Sequence, residues 1–174
     1  MNLFFDAIAW IFNPELQSAP GQLGQRIGEH IAYTFGATAI AAVIAIPLGY
    51  FIGHTGKGRD LAVAFTGGMR ALPSLGVLIL FALWLSIGFK APLLTFVLLA
   101  LPPLLGGAYA GLQAIDRSVI DAAKAMGMTP WQVLLKVEMP LGLPLLIGGI
   151  RAAVLQVVAT ATLAAYVGGG AMAG

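Results

Sequence analysis

The sequence predicts an all-α fold in which several helices cross a membrane. Charged residues make up 9% of the chain, whereas roughly 25% of the residues of an average soluble domain are charged. Hydrophobic residues make up 59%, and the 23 glycines and 10 prolines would suit a water-soluble core poorly. A long apolar stretch crosses lipid as a helix, because lipid cannot satisfy an exposed backbone. We therefore expect a polytopic bundle of transmembrane helices.

Four stretches are long and apolar enough to span the membrane. They cover about residues 31–53, 61–89, 91–115 and 141–170. The second is interrupted only by Arg70 and the fourth only by Arg151. All seven Asp and Glu residues lie outside these stretches, so the sequence shows no ion-coupling site of the kind that proton- or sodium-driven carriers use. Prolines in the spans or at their ends predict kinks: Pro47, Pro73, Pro102, Pro103 and Pro144.

Residues 1–30 are predicted to form an extracytoplasmic or interfacial segment. Apolar residues recur at helical spacing around Asp6, and Asn13 and Pro14 end the pattern. A helix lying at the membrane interface fits this pattern, and a helix packed on the spans fits it equally well. No basic residue precedes Arg26, so the pattern is not that of a signal peptide.

Basic residues in the predicted loops are biased five to two toward one side of the bundle. The richer side carries Lys57, Arg59, Arg117, Lys124 and Lys136. The other side carries Arg26 and Lys90. Because short cytoplasmic loops are enriched in Lys and Arg, we expect the richer side to be cytoplasmic and the amino terminus to lie outside.

The sequence contains no arrangement typical of an enzyme or of a metal site. Cysteine is absent, and His30 and His54 lie 24 residues apart without a carboxylate at ligand spacing. The stretch GHTGKG at Gly53–Gly58 is shorter than a phosphate-binding loop, and Gly58 stands where that loop has a hydroxyl. No nucleophile is spaced to meet a base. We therefore expect a non-catalytic chain that holds no cofactor or metal of its own.

Charge is concentrated in the loop between the last two predicted spans, which we call the 116–140 segment. Positions 116–138 hold six of the sixteen charged residues. Ser118 and Asp121, three residues apart, predict the start of a short helix, and Gly127 can adopt the left-handed conformation that ends one. Pro140 is expected to end the segment where the chain enters the membrane again.

A second short helix is predicted after Gly127. Thr129 is suited to cap it, with Pro130 at its first position and Gln132 completing a capping box. Three large side chains flank the joint between the two helices: Met126, Met128 and Trp131. Met and Trp are favoured where partner proteins dock, so the segment is either a docking site or a loop packed against the bundle.

The 116–140 segment resembles the cytoplasmic signature of the integral membrane subunits of ABC importers. That signature reads E-A-A, three residues, Gly, nine residues, Ile, any residue, Leu, Pro. The matching positions keep its spacing, with Asp, Val and Met as conservative replacements: Asp121, Ala122, Ala123, Gly127, Val137, Met139 and Pro140. The resemblance implies that the segment sits in a groove on an ATP-binding subunit. The residues it implicates in coupling are Asp121, Ala122, Ala123, Lys124, Met126, Gly127, Met128, Thr129, Pro130, Trp131, Val137, Met139 and Pro140.

Three further motifs resemble those of ABC permeases for glycine betaine, choline, carnitine and related osmoprotectants. They are RALPSLGVL at Arg70–Leu78, MGMTPWQVLLKVEMPLGLPLLIGGIRAA at Met126–Ala153 and TATLAAYVGGG at Thr160–Gly170. Permeases for methionine and other small solutes share their general form, so a permease for another solute such as an amino acid is an alternative. A carrier or channel that works without an ATPase is an alternative from a different class.

The resemblance also implies a location and a set of partners. We expect a permease domain over residues 31–174 in a bacterial plasma (inner) membrane, paired with a second permease copy or a paralogue. Cytoplasmic ATP-binding subunits would hold ATP and Mg, and an extracytoplasmic solute-binding protein would deliver the solute. Chains of this family usually continue after the glycine-rich turn with another membrane helix, which this sequence does not contain.

Residues of the spans supply a set of gating or pathway positions. Arg151 and Arg70 are expected either to extend toward the interface or bond backbone carbonyls, or to take part in gating. Aromatic rings can face a trimethylammonium group, although Trp and Tyr also serve as interfacial anchors. The set comprises Arg70, Pro73, Ser74, Trp84, Tyr109, Arg151 and Tyr166.

Overall fold

The structure is a computed structural model that describes Phe5, Ile8, Ala9, residues 23–85 and residues 90–164. Nearly all of these residues are helical and none of them forms a strand, so the all-α prediction is confirmed. The elements are α1 (Leu23–Thr55), α2 (Arg59–Arg70), α3 (Ser74–Leu85), α4 (Lys90–Gln113), α5 (Arg117–Ala125), α6 (Pro130–Val133), a π-helical segment (Leu134–Glu138) and α7 (Met139–Ala164).

Three helical stretches of the described chain are long and apolar enough to cross a membrane. They are Ile27–Thr55, Lys90–Gln113 and Pro130–Thr162. A fourth crossing is present if the bent pair of α2 and α3 counts as one broken span. Most of the predicted amino-terminal helix, the end of the second predicted span and the end of the fourth lie outside the described residues.

The second predicted span differs from a single straight helix. α2 and α3 meet at an angle of 91° across the break at residues 71–73. The amides of Ala71 and Leu72 bond back to Gly68 and Met69, which closes α2 with tight turns. Pro73 follows, and proline disfavours the helical conformation of the residue before it and offers no amide of its own. The other prolines expected to bend the spans lie inside continuous helices: Pro47, Pro102, Pro103 and Pro144.

The core lies where α4 packs between α1 and α7. Alanine recurs every four residues on the buried face of α1, and Ala37, Ala41 and Ala45 are at most 1% exposed. Phe96 of α4 and Val157 of α7 are buried in the same cluster. Small residues at helix crossings let membrane helices approach closely, since van der Waals packing rather than the hydrophobic effect joins helices in lipid.

Candidate functional site

α5 begins at Arg117 and is capped by Asp116. The Asp116 side chain accepts a hydrogen bond from the Ser118 amide at 2.9 Å, with the Asp116 backbone extended at φ −61° and ψ 131°. The expectation that Ser118 is the cap is therefore wrong by two residues. Asp116, whose backbone is extended, accepts a hydrogen bond from a free amide at the start of the helix and takes the capping role instead. The backbone and side-chain hydrogen bonds from Ser118 stabilise the ionised carboxylate and lower the pKa of Asp116.

α5 ends in a Schellman motif around Gly127. The Met128 amide donates to the Ala123 carbonyl at 3.2 Å, and the Gly127 amide donates to the Lys124 carbonyl at 2.9 Å. This pair of bonds requires a left-handed residue just after the helix, and Gly127 has φ +81°. The predicted helix end at Gly127 is confirmed.

α6 begins with the predicted capping box. Thr129 Oγ1 accepts a hydrogen bond from the Gln132 amide at 3.4 Å, and Gln132 Oε1 accepts one from the Thr129 amide at 2.9 Å. Pro130 occupies the first turn, where its missing amide costs nothing. The two helices of the segment are thus held at their joint by local bonds on both sides of Gly127.

The helix does not end at Pro140 as expected. α6 continues through the π-helical segment into α7, and Pro140 is the second residue of α7. Proline inside an α-helix clashes with the carbonyl four residues before it. The wider π turn just before Pro140 relieves that clash, which accounts for a continuous helix across a proline.

The predicted coupling residues do not share one exposed surface. Met126 and Trp131 are 77% and 72% exposed, and Lys124 beside them is also exposed. Ala123, in contrast, is 3% exposed and faces inward. The remaining exposed members of the set are Asp121, Ala122, Gly127, Thr129, Pro130 and Pro140, whereas Met128, Val137 and Met139 are half-buried.

A contact that the sequence analysis missed joins this segment to the first span. His54 Nδ1 lies 2.5 Å from Glu138 Oε2. Glu138 as a whole residue is 4% exposed, and among the charged residues whose burial the structure describes it is the one that is buried. The sequence held one signal for this contact. Glu138 stands between Val137 and Met139 at the start of an apolar helix, where a charged side chain requires a partner.

A polar cavity of about 390 Å³ adjoins this contact. Charged or polar side chains from α1, α4, α5 and the π-helical segment line it: His54, Gln113, Arg117, Asp121, Lys124 and Glu138. Gln113 Nε2 also donates to the Gly53 carbonyl at 3.0 Å, which gives the end of α1 a second polar link. Among the described residues, no group of three or more His, Cys, Asp or Glu could hold a metal ion.

The gating or pathway positions are spread over several helices. Trp84 is 78% exposed on α3, Tyr109 is half-buried against the core, and Arg151 is exposed on α7. None of them lines the polar cavity. Arg70 and Ser74 flank the break between α2 and α3, Pro73 lies within it, and Tyr166 lies outside the described residues.

Residues 45–174 match the model of a protein family described as "Binding-protein-dependent transport system inner membrane component". The chain is 30% identical over 157 residues to the glycine betaine/carnitine/choline transport system permease protein OpuCB of Bacillus subtilis, covering 90% of this chain and 72% of that protein. It is 35% identical over 149 residues to the osmoprotectant import permease protein OsmY of Salmonella typhimurium, covering 84% of this chain and 61% of that protein.

A solved structure shares the fold. It shows the MetNI methionine ABC transporter in inward-facing conformations, and its matching chain superposes with a TM-score of 0.73 at 25% identity. The match covers 84% of this chain and 74% of the other. Together with the apolar helices, these matches identify a multi-pass membrane protein. The chain therefore belongs to the family of binding-protein-dependent transport system inner membrane components.

Proposed function

We propose that this chain is the transmembrane permease subunit of an ATP-driven, binding-protein-dependent importer of osmoprotectants such as glycine betaine, choline or carnitine. One observation carries the proposal. The 116–140 segment, with the signature spacing of ABC importers, folds as two short capped helices joined at Gly127, and the second of them continues without a break into the apolar helix α7. The names of the relatives, which are permease proteins for these solutes, supply the solute class.

The proposal divides the work between subunits. Separate ATP-binding subunits hold ATP and Mg, a solute-binding protein delivers the solute, and this chain with a second permease encloses the path. ATP can drive transport only if it favours one arrangement of the permease over the other. The 116–140 segment is where that preference would act, because α5 and the joint at Gly127 precede the apolar stretch Pro130–Thr162 and present exposed side chains.

The exposed members of the coupling set are those we assign to contact with the ATP-binding subunit. Met126, Trp131 and Lys124 offer two large apolar surfaces and a charge to such a partner. Ala123 is buried, so we assign it a supporting role: its carbonyl accepts the hydrogen bond that closes the turn at Gly127. This division separates residues that touch the partner from residues that hold the shape of the segment.

The orientation proposed for the chain follows from its basic loops. The 116–140 segment and the turn at Lys57 would face the cytoplasm of a bacterial cell, with the amino terminus outside the inner membrane. Arg151 lies 12 residues into α7, which at about 1.5 Å per residue is near mid-membrane. An exposed arginine at this depth is costly in lipid, so we assign Arg151 to a face that meets water or the second permease.

Reconstitution tests the proposal. The chain is placed in liposomes with its ATP-binding subunits and solute-binding protein, and uptake of labelled glycine betaine is followed with and without ATP. We expect uptake only when both ATP and the ATP-binding subunits are present. Uptake without them would establish a carrier or channel instead, and uptake of an amino acid such as methionine in place of betaine would overturn the solute class.

A matched pair of charge reversals tests the docking surface. Lys124→Glu lies in the 116–140 segment, and Lys57→Glu changes an exposed lysine in the turn between α1 and α2. We expect Lys124→Glu to reduce co-purification of the ATP-binding subunits, with Lys57→Glu close to the unmodified chain. Equal co-purification of both variants and the unmodified chain would contradict the assignment.

A further inference from the structure

The His54–Glu138 contact joins two parts of the chain that are 84 residues apart in sequence. His54 lies in the last turn of α1. Glu138 is the last residue of the π-helical segment, just before α7 begins. π turns often occur at functional sites, because their extra residue changes which side chains face inward.

Because the side chain of Glu138 is buried, its carboxylate needs a binding partner within the protein. Its side chain is 5% exposed, and a carboxylate removed from water requires hydrogen-bond partners or an opposite charge. His54 provides that bond from α1, and its own side chain is 23% exposed. Arg117, Asp121 and Lys124 line the cavity beside the contact from α5.

A movement of α5 can pass to the elements that the 116–140 segment contacts. α5 packs on α6 and on the π-helical segment. The π-helical segment continues covalently into α7, so α7 must follow any movement of it. α1 has no such covalent link, and α1 packs along its length on α4. α4 is joined to α5 through residues 114–116, and the His54–Glu138 contact adds a direct polar link from the segment to α1.

We propose that the His54–Glu138 contact transmits movement of the 116–140 segment to α1, so that α1 and α7 change position together during transport. His54 and Glu138 are positioning residues in this role: neither touches the solute or ATP. The proposal rests on the proposed function, since it assumes that an ATP-binding subunit moves α5.

The test measures solute uptake per ATP hydrolysed in liposomes that contain the complete transporter. His54→Ala and Glu138→Ala each break the contact and leave the exposed surface of α5 unchanged. We expect co-purification of the ATP-binding subunits to remain and uptake per ATP to fall about tenfold, within the range of about 5- to 150-fold typical of coupling between sites. If His54→Ala reduces assembly, Glu138→Gln, which keeps the size of the side chain and loses its charge, is expected to show the lower ratio.

Three further variants separate transmission from general packing. The double variant His54→Ala/Glu138→Ala is expected to match either single variant within about twofold, because residues acting through one contact are not additive. His54→Arg keeps a hydrogen-bond donor at this position and is expected to keep uptake per ATP close to that of the unmodified transporter. Gln113→Ala removes the comparable polar link between α4 and the end of α1, and is expected to leave the ratio unchanged.

The outcomes distinguish this proposal from the proposed function. An unmodified transporter that shows no ATP-driven uptake overturns the proposed function itself. If the unmodified transporter is active and His54→Ala keeps its uptake per ATP, the transmission role is overturned. Additive losses in the double variant overturn it as well, because they show that the two residues act independently. An equal loss in Gln113→Ala also overturns it, because it shows that the loss is not specific to the His54–Glu138 contact.

Discussion

Gly149 of α7 packs against Gly107 of α4 backbone to backbone. A Cβ atom on Gly149 would lie 2.6 Å from the Pro103 carbonyl oxygen and 3.0 Å from the Gly107 Cα. A Cβ atom on Gly107 would lie 2.8 Å from the Gly149 Cα. The two helices approach this closely because neither carries a side chain at the crossing, and a rigid backbone cannot move aside as a side-chain tip would.

Gly149→Ala is expected to destabilise the chain. The added methyl group meets backbone atoms, and overpacking of this kind costs about 1–3 kcal/mol. Gly148→Ala is the matched control, because a Cβ atom there has no atom within 4 Å and alanine favours the helix. Thermal unfolding in detergent should show a lower midpoint for Gly149→Ala and an unchanged or higher one for Gly148→Ala. Equal midpoints for the two variants would mean that α4 and α7 do not cross at Gly149.

Features set by neighbours in sequence could be predicted, and features set by helix packing could not. Thr129 and Gln132 are three residues apart, so their capping box follows from spacing alone. The His54–Glu138 contact depends on the rotation of two helices about their axes, which no local pattern fixes. The approach of Gly149 to Gly107 depends on helix rotation in the same way.

The sequence also could not predict which proline would break a helix, because that outcome depends on helix packing. Pro73 separates α2 from α3, whereas Pro47 and Pro144 lie inside continuous helices. Each of these prolines lacks a backbone N–H group, but neighbouring helices and local turns decide whether the helix continues. The sequence therefore predicted where helices could bend without predicting where one would break.

Gly127→Ala is expected to loosen the joint between α5 and α6. At φ +81° an alanine adopts a left-handed conformation that costs about 1–2 kcal/mol, although there is open space for its methyl group. Hydrogen exchange at the Met128 amide, which bonds to the Ala123 carbonyl, should become about 5- to 30-fold faster. Gly127→Asn is the control, since asparagine tolerates this conformation, and its exchange should stay nearer that of the unmodified chain. Slower exchange in Gly127→Ala than in Gly127→Asn would contradict the strain argument.

Thr129→Ala is expected to weaken the start of α6. It removes the hydroxyl that accepts a bond from the Gln132 amide, and loss of such a cap costs about 1 kcal/mol. Exchange of the Gln132 amide should therefore become about fivefold faster. Thr129→Ser keeps the hydroxyl and serves as the control. Exchange that is equally fast in both variants would assign the effect to the lost methyl group rather than to the cap.

Thr34→Val is expected to leave the chain equally stable or make it more stable. Thr34 is 2% exposed, and its hydroxyl has no hydrogen-bond partner in the described part of the chain. A buried hydroxyl without a partner costs free energy, and valine has nearly the same shape without that group. Thr95→Val is the control, because Thr95 is equally buried but donates to the Ala91 carbonyl at 2.8 Å, so its removal should lower the unfolding midpoint in detergent. A lower midpoint for Thr34→Val than for Thr95→Val would show that the Thr34 hydroxyl has a partner in the folded protein, such as a water molecule or a second permease chain.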